Sequence, residues 1–279
     1  MDLYAINTGN LKLSGRAMFW GAPKAIWSHL YPCDEHGLCN WSMRCLLLVD
    51  GDRKILIDCG AGTKQSEEFF SGYHLNGDDS LEKSLNHAGF SFEDITDVII
   101  SHFHFDHAGG AVIWNPDKTG YLPAFRNATY WTSRRHWELA VNPGKYEKAS
   151  FQQENILPLK EKGKLQLIDA EREIFPGVSV RIFDGHTNGQ IIPLIKYKEK
   201  VVVFTADAVP SAAHISLPHV MIYDTQPALS LEEKENLLIE AAANGYILFF
   251  EHDLYRECCT LVKTEEGIRM KDVFTLAEI

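Results

Sequence analysis

Long apolar runs are missing from this chain: no stretch approaches the ~20 residues that a membrane-spanning helix requires, so no membrane partner is expected. The opening residues, Met1-Asp2-Leu3-Tyr4-Ala5-Ile6-Asn7, lack the basic start and apolar core of a secretory signal. A soluble, cytoplasmic protein is the expectation. Positive charge is also short, with 27 Lys and Arg against 38 Asp and Glu and a formal net charge of −11. Proteins that track nucleic-acid phosphates show a basic face, so no nucleic-acid partner is expected. The six cysteines contain no C-x-x-C pair, and without a secretory signal they read as free buried thiols. Cys33, Cys39 and Cys45 recur at equal spacing, which is wider than usual zinc-ligand pairs. Repeats, low-complexity tracts and Pro/Ser-rich linkers are absent too, so residues 1–279 read as a single domain. A 45% hydrophobic content suffices to fill its core.

What the chain does have is His102-Phe103-His104-Phe105-Asp106-His107, directly after the apolar run Asp97-Val98-Ile99-Ile100-Ser101. If that run is a buried strand, His102 and His104 leave its end on one side, because side chains alternate with period two. Asp106 and His107 fall where the chain turns, ahead of Ala108-Gly109-Gly110. Two pairs of donors are thereby aimed at two neighbouring points, as a two-metal site needs. The plain alternative is a polar loop rich in histidine.

The remaining elements are short and alternate between types. Residues 2–13 predict an opening strand. Arg44 to Val49 and Lys54 to Asp58 predict a hairpin around Asp50-Gly51. Asp58, at the end of the second strand, is either a turn residue or a carboxylate that orients a metal-bound imidazole. Ser80 caps a helix over 81–88, which Gly89 ends. A strand over 128–131 is followed by a helix capped by Thr132, and 142–163 is expected on the outside, partly helical. Val178 to Phe183 leads to Asp184-Gly185-His186, and a hairpin over 191–204 ends at Asp207. Ser230 caps a helix through Ala243, and the strand Tyr246 to Phe250 ends at Glu251-His252-Asp253. Four times an apolar strand stops and a His or Asp stands just beyond it. One such event is ordinary, whereas four suggest that several strand ends converge on one site.

These motifs resemble the metallo-β-lactamase superfamily, in particular its dinuclear hydrolases with lactonase-like ligand sets, across roughly residues 40–255. Asp58 in Leu56-Ile57-Asp58-Cys59-Gly60 matches the first motif, His102 to His107 the second, and His186 the third. Asp207 and His252 match the fourth and fifth. The resemblance implies an α/β fold, a four-layer αββα sandwich. It implies one metal on His102, His104 and His186, another on Asp106, His107 and His252, and Asp207 bridging both. Five nitrogen and two carboxylate donors suit Zn²⁺ best, with Fe, Mn and Co as alternatives. Two divalent ions, two carboxylates and a hydroxide would leave the centre positive by one, a fit for an anionic transition state. Metal binding lowers the pKa of water to roughly 7, which supplies the attacking hydroxide. Asp106 either shuttles a proton or serves only as a ligand.

The substrate class rests on the expected pocket walls. Phe19, Trp20, Trp27, Phe103, Phe105 and the segment from His214 to Tyr223 offer aromatic and apolar surface with few cations. The tryptophans and Phe19 belong to a stretch that either packs onto the core or forms such a wall. His214 and Tyr223 are either structural or donors of a proton to a leaving group. A small neutral ester, above all a lactone, is the expected substrate, with phosphotriesters, phosphodiesters and thioesters as alternatives. The quorum-quenching acyl-homoserine-lactonase branch has a tyrosine three residues after the bridging aspartate, where this chain has Pro210. The segment Asp207 to His214 looks closer to the phosphotriester-cleaving members. A homodimer is compatible with the sequence.

Overall fold

The expected hairpin forms: Leu38–Asp50 and Arg53–Ile57 pair antiparallel, with Asp50 opposite Arg53. Gly51 supplies the positive φ of 58° that a two-residue hairpin turn demands. The structure, a computed structural model, describes residues 1–216 and 219–279. Two compact units emerge from the packing. The first comprises Met1–Gly9, Met43–Ala170 and Gly189–Ile191, and the second Asn10–Ser42, Glu171–Asn188 and Ile192–Ile279.

The first unit is built on a six-stranded sheet in the order Asp2–Ser14, Leu38–Asp50, Arg53–Ile57, Asp97–Ile99, Thr129–Ser133, Leu165–Ile168. The last four strands run parallel to one another. Val98, Ile99 and Ile100 are all fully buried, as strands covered on both faces must be. In parallel sheets the open positions lie beyond the carboxyl ends of the strands, and Asp58 and His102 stand there on adjacent strands. Val98 and Ile100 share a core with Ile6, Leu47, Leu56, Phe103, Tyr130 and Trp137.

The second unit is built on a seven-stranded sheet in the order Gly267–Phe274, Cys258–Thr264, Ile247–Phe249, Lys200–Phe204, Gln190–Tyr197, Val178–Phe183, Arg172–Phe175. Lys200–Phe204 and Ile247–Phe249 run parallel within it. Asp207 and His252 follow their carboxyl ends, so the same rule positions donors in both units.

Local chemistry moved several boundaries. The helix Arg134–Val141 is capped by Ser133, whose hydroxyl accepts from His136 N–H, while Thr132 stays in the strand. The last long helix begins at Pro227, three residues before Ser230, because proline is preorganised for a first helical position. It ends at Gly245 with a φ of 66°. Helix Gln153–Glu161 is not an outer segment: Asn155, Ile156 and Leu159 are fully buried. The aromatic-rich stretch holds two short helices, Gly15–Met18 and Lys24–Leu30. Among the described residues, no helix is long and apolar enough to cross a membrane.

Candidate metal centre

Four of the expected donors cluster in the first unit. Asp58 anchors them from the left-handed region, at a φ of 59° that non-glycine residues seldom adopt. Its Oδ1 accepts from Ser101 N–H at 2.7 Å, and its Oδ2 accepts from the Ser101 hydroxyl. The same Oδ2 lies 3.1 Å from Nδ1 of His107. A carboxylate there takes the imidazole proton, which leaves Nε2 of His107 as the lone-pair nitrogen. Ser101 Oγ, its own hydrogen given to Asp58, stands 3.0 Å from Nδ1 of His102. That arrangement likewise leaves Nε2 of His102 as the lone-pair nitrogen. This Nε2 lies 3.1 Å from Nδ1 of His104, whose Nε2 faces Glu147 at 3.8 Å. Asp106 Oδ2 lies 3.9 Å from Nε2 of His107.

Glycine makes this turn possible. A Cβ on Gly109 would lie 1.9 Å from Ala61 O, and one on Gly110 would lie 2.1 Å from Cys59 O. Between the histidines, the main-chain N–H of Phe103 donates to Nε2 of the buried His136 at 2.7 Å. The loop is therefore pinned at Asp58, at His136 and by the two glycines.

The second unit contributes His186, Asp207 and His252. Helix Pro227–Asn244 fixes the His186 turn. Glu233 accepts from the N–H groups of Asp184 and Gly185 at 2.8 and 2.9 Å. A Cβ on Gly185 would meet Ser230 Cα at 2.5 Å. Asp224 Oδ1 lies 2.9 Å from Nδ1 of His186, and Nδ1 of His252 lies 2.7 Å from the Ser42 carbonyl oxygen. A carbonyl only accepts, so the His252 proton sits on Nδ1. Both rings then turn a lone-pair Nε2 toward Asp207: His186 Nε2 is 3.1 Å from Oδ2, and His252 Nε2 is 3.1 Å from Oδ1. Acceptor faces acceptor at each oxygen of one carboxylate. A cation resolves such contacts, so this donor set fits divalent metals in kind and in tautomer.

Asp224, Ser101, Glu147 and His136 escaped sequence reasoning. Asp58, read from the sequence as a turn residue or as a carboxylate behind a metal-bound imidazole, lies against the imidazole of His107.

The expected pocket walls fare differently. Phe19 is fully buried and stacks on His214 with ring centroids 4.5 Å apart. His214 Nδ1 meets Ser211 Oγ at 2.7 Å, and Nε2 meets Met18 O at 2.8 Å. Burial, with a smaller contribution from Lys234, pushes its pKa down to about 3. His214 is thus a neutral core imidazole and no proton donor to a leaving group. Phe103 is buried against His136, and Phe105 against Phe69 and Tyr73. Trp20 is half exposed and Trp27 buried, yet both line a cleft with Arg16 and Lys24, so that surface is richer in cations than expected. Tyr223 is half-buried next to Asp224. Leu217 and Pro218, within the expected wall segment, lie outside the described residues. All six cysteines are free, and burial pushes the Cys39 thiol up to about 12.

An α/β fold with paired carboxylates and histidines at strand ends defines a metal-dependent hydrolase. Residues 44–252 match the family model of the metallo-beta-lactamase superfamily, and the chain belongs to that superfamily. It is 27% identical over 231 residues to the N-acyl homoserine lactonase of Bacillus thuringiensis, covering 79% of this chain and 84% of that protein. A probable metal-dependent hydrolase from Staphylococcus aureus superposes with a TM-score of 0.89 at 25% identity, over 98% of this chain and 96% of that one. AidC, a dizinc quorum-quenching lactonase solved with its product N-hexnoyl-L-homoserine, shares the fold with a TM-score of 0.78 at 21% identity, over 98% and 95% of the two chains.

Proposed function

We propose that the chain hydrolyses a small neutral ester, most favourably a lactone, at a dinuclear centre. His102, His104 and His186 would hold one ion, Asp106, His107 and His252 the other, with Asp207 shared. The observation that carries this reading is Asp207, which offers one oxygen to each of two imidazoles whose outer nitrogens are already committed. Zinc is the preferred ion for five nitrogen and two carboxylate donors. Such ions, when bound, lower the pKa of water toward 7 and polarise a carbonyl oxygen.

The chain's own groups supply the rest. Asp58, Asp224 and the Ser42 carbonyl hold three imidazoles in fixed tautomers, so nothing must reorganise as charge develops. Asp106 keeps some exposure, 13% of its side chain, and takes the proton released on attack, returning it to the leaving oxygen. The ring of a lactone keeps the leaving oxygen tethered beside the carbonyl, which suits two neighbouring ions. The N-acyl homoserine lactonases among its relatives support this substrate class.

The test is a pH-stat comparison of lactones, aryl esters, glutathione thioesters, a phosphotriester and bis-p-nitrophenyl phosphate on the Zn and Mn proteins. Lactones should lead in kcat/KM. A preference for the phosphodiester beyond about tenfold, worth ~1.4 kcal/mol of transition-state binding, would overturn the assignment.

A further inference from the structure

Outside the donor clusters, the second unit holds a cleft of about 870 Å³, within the size range of small-molecule sites. Its walls include Arg16, Lys24 and His36 together with Trp20, Trp27 and Ile222. Trp20 is 49% exposed and Ile222 43%, so both present apolar surface to solvent at this cleft.

Charge is the second observation. The chain carries a formal −11, and some of its surface cations face carboxylates, as Lys12 does Asp34, Arg134 Asp169 and Arg181 Glu240. Arg16 and Lys24 have no ion-pair partner among the described residues, and no Asp or Glu lines the cleft. His36 faces the exposed Glu35 at 3.6 Å, so the uncompensated charge belongs to Arg16 and Lys24. The walls are also preformed. Trp20 N–H donates to Val220 O, and Ile222 N–H to Ala17 O, each at 2.8 Å.

We propose that this cleft is a binding site for an amphipathic organic anion, an acyl or aryl group ending in a carboxylate or phosphate. The guanidinium of Arg16 offers paired donors to an oxyanion, and Lys24 adds a point charge. Trp20, Trp27 and Ile222 receive the apolar portion. The site rests on the cleft alone and stands apart from the lactonase reading, because none of its residues is a proposed metal ligand.

The experiment measures binding of octanoate, octyl phosphate and uncharged octanamide by calorimetry and tryptophan fluorescence, with and without chelator. Octanoate or octyl phosphate should bind saturably and at least about tenfold more tightly than octanamide, and whichever leads identifies the head group. The pair Arg16→Gln with Lys24→Gln, both exposed side chains, should remove that preference while leaving octanamide binding as it was. Retention of anion binding after chelation is expected. Equal affinity for anion and amide, an unchanged double variant, or loss of binding on chelation would each overturn the proposal.

Discussion

Asp224 Oδ1 stands 2.9 Å from Nδ1 of His186, while its other oxygen accepts from Met221 N–H at 3.0 Å. Nothing in the linear sequence joins these two residues, yet the carboxylate decides which nitrogen of His186 carries the proton. Carboxylates behind a ligating imidazole commonly contribute 10–100-fold in metal affinity. Asp224→Ala should therefore lose metal to a competing chelator roughly 10-fold more readily than wild type. Asp224→Asn, whose amide oxygen still accepts, should recover part of that loss. Equal retention in all three proteins would remove Asp224 from the positioning role.

Asp207 is expected to matter more, because two cations would face each other without a shared carboxylate. Asp207→Ala should lower turnover by at least about 100-fold, the upper end for outer-shell changes. Elemental analysis should drop from near two equivalents of metal toward one or none. Wild-type turnover in this variant would exclude the bridging assignment.

His136 makes a stability prediction that needs no metal. Replacing it by alanine leaves the buried Phe103 N–H without its acceptor, a cost of about 1–3 kcal/mol. The urea midpoint of the chelated protein should fall accordingly. An unmoved midpoint would mean that the loop finds another acceptor.

His214 predicts a pH dependence of its own. Burial holds its pKa at about 3, against an ordinary 6.5, so the unfolded chain binds this proton more readily than the folded one. Its contribution to stability is complete above pH 6.5 and declines as pH falls from there toward about 3. In chelated protein, His214→Gln should flatten that part of the stability curve relative to wild type. Parallel curves for the two proteins would contradict the assignment.

The donors were legible because each sits within a few residues of an apolar run, and strand ends are visible in one dimension. His102, His104, Asp106 and His107 even share one turn. Their supports were not legible: Asp224 reaches His186 from 38 residues away, and His136 reaches Phe103 from 33. Aromatic residues misled for a related reason. Phe19 and Trp27 carry no periodic signal, and only packing decides that Phe19 stacks on His214. The helix expected from Ser230 began earlier because Pro227 offered a better first residue than serine offered a cap.

The close approach of Gly109 to Ala61 O and of Gly110 to Cys59 O has a consequence for anyone diversifying this enzyme. Substitutions in that turn would push apart the loops that carry Asp58 and His107, so a library spread evenly over the chain would waste its variants there. The tolerant ground is the exposed rim around Trp20, Lys24 and Ile222, where side chains meet solvent and the donors' supports are untouched. New ligand preferences of that cleft should be sought by randomising the rim while the paired glycines are held constant.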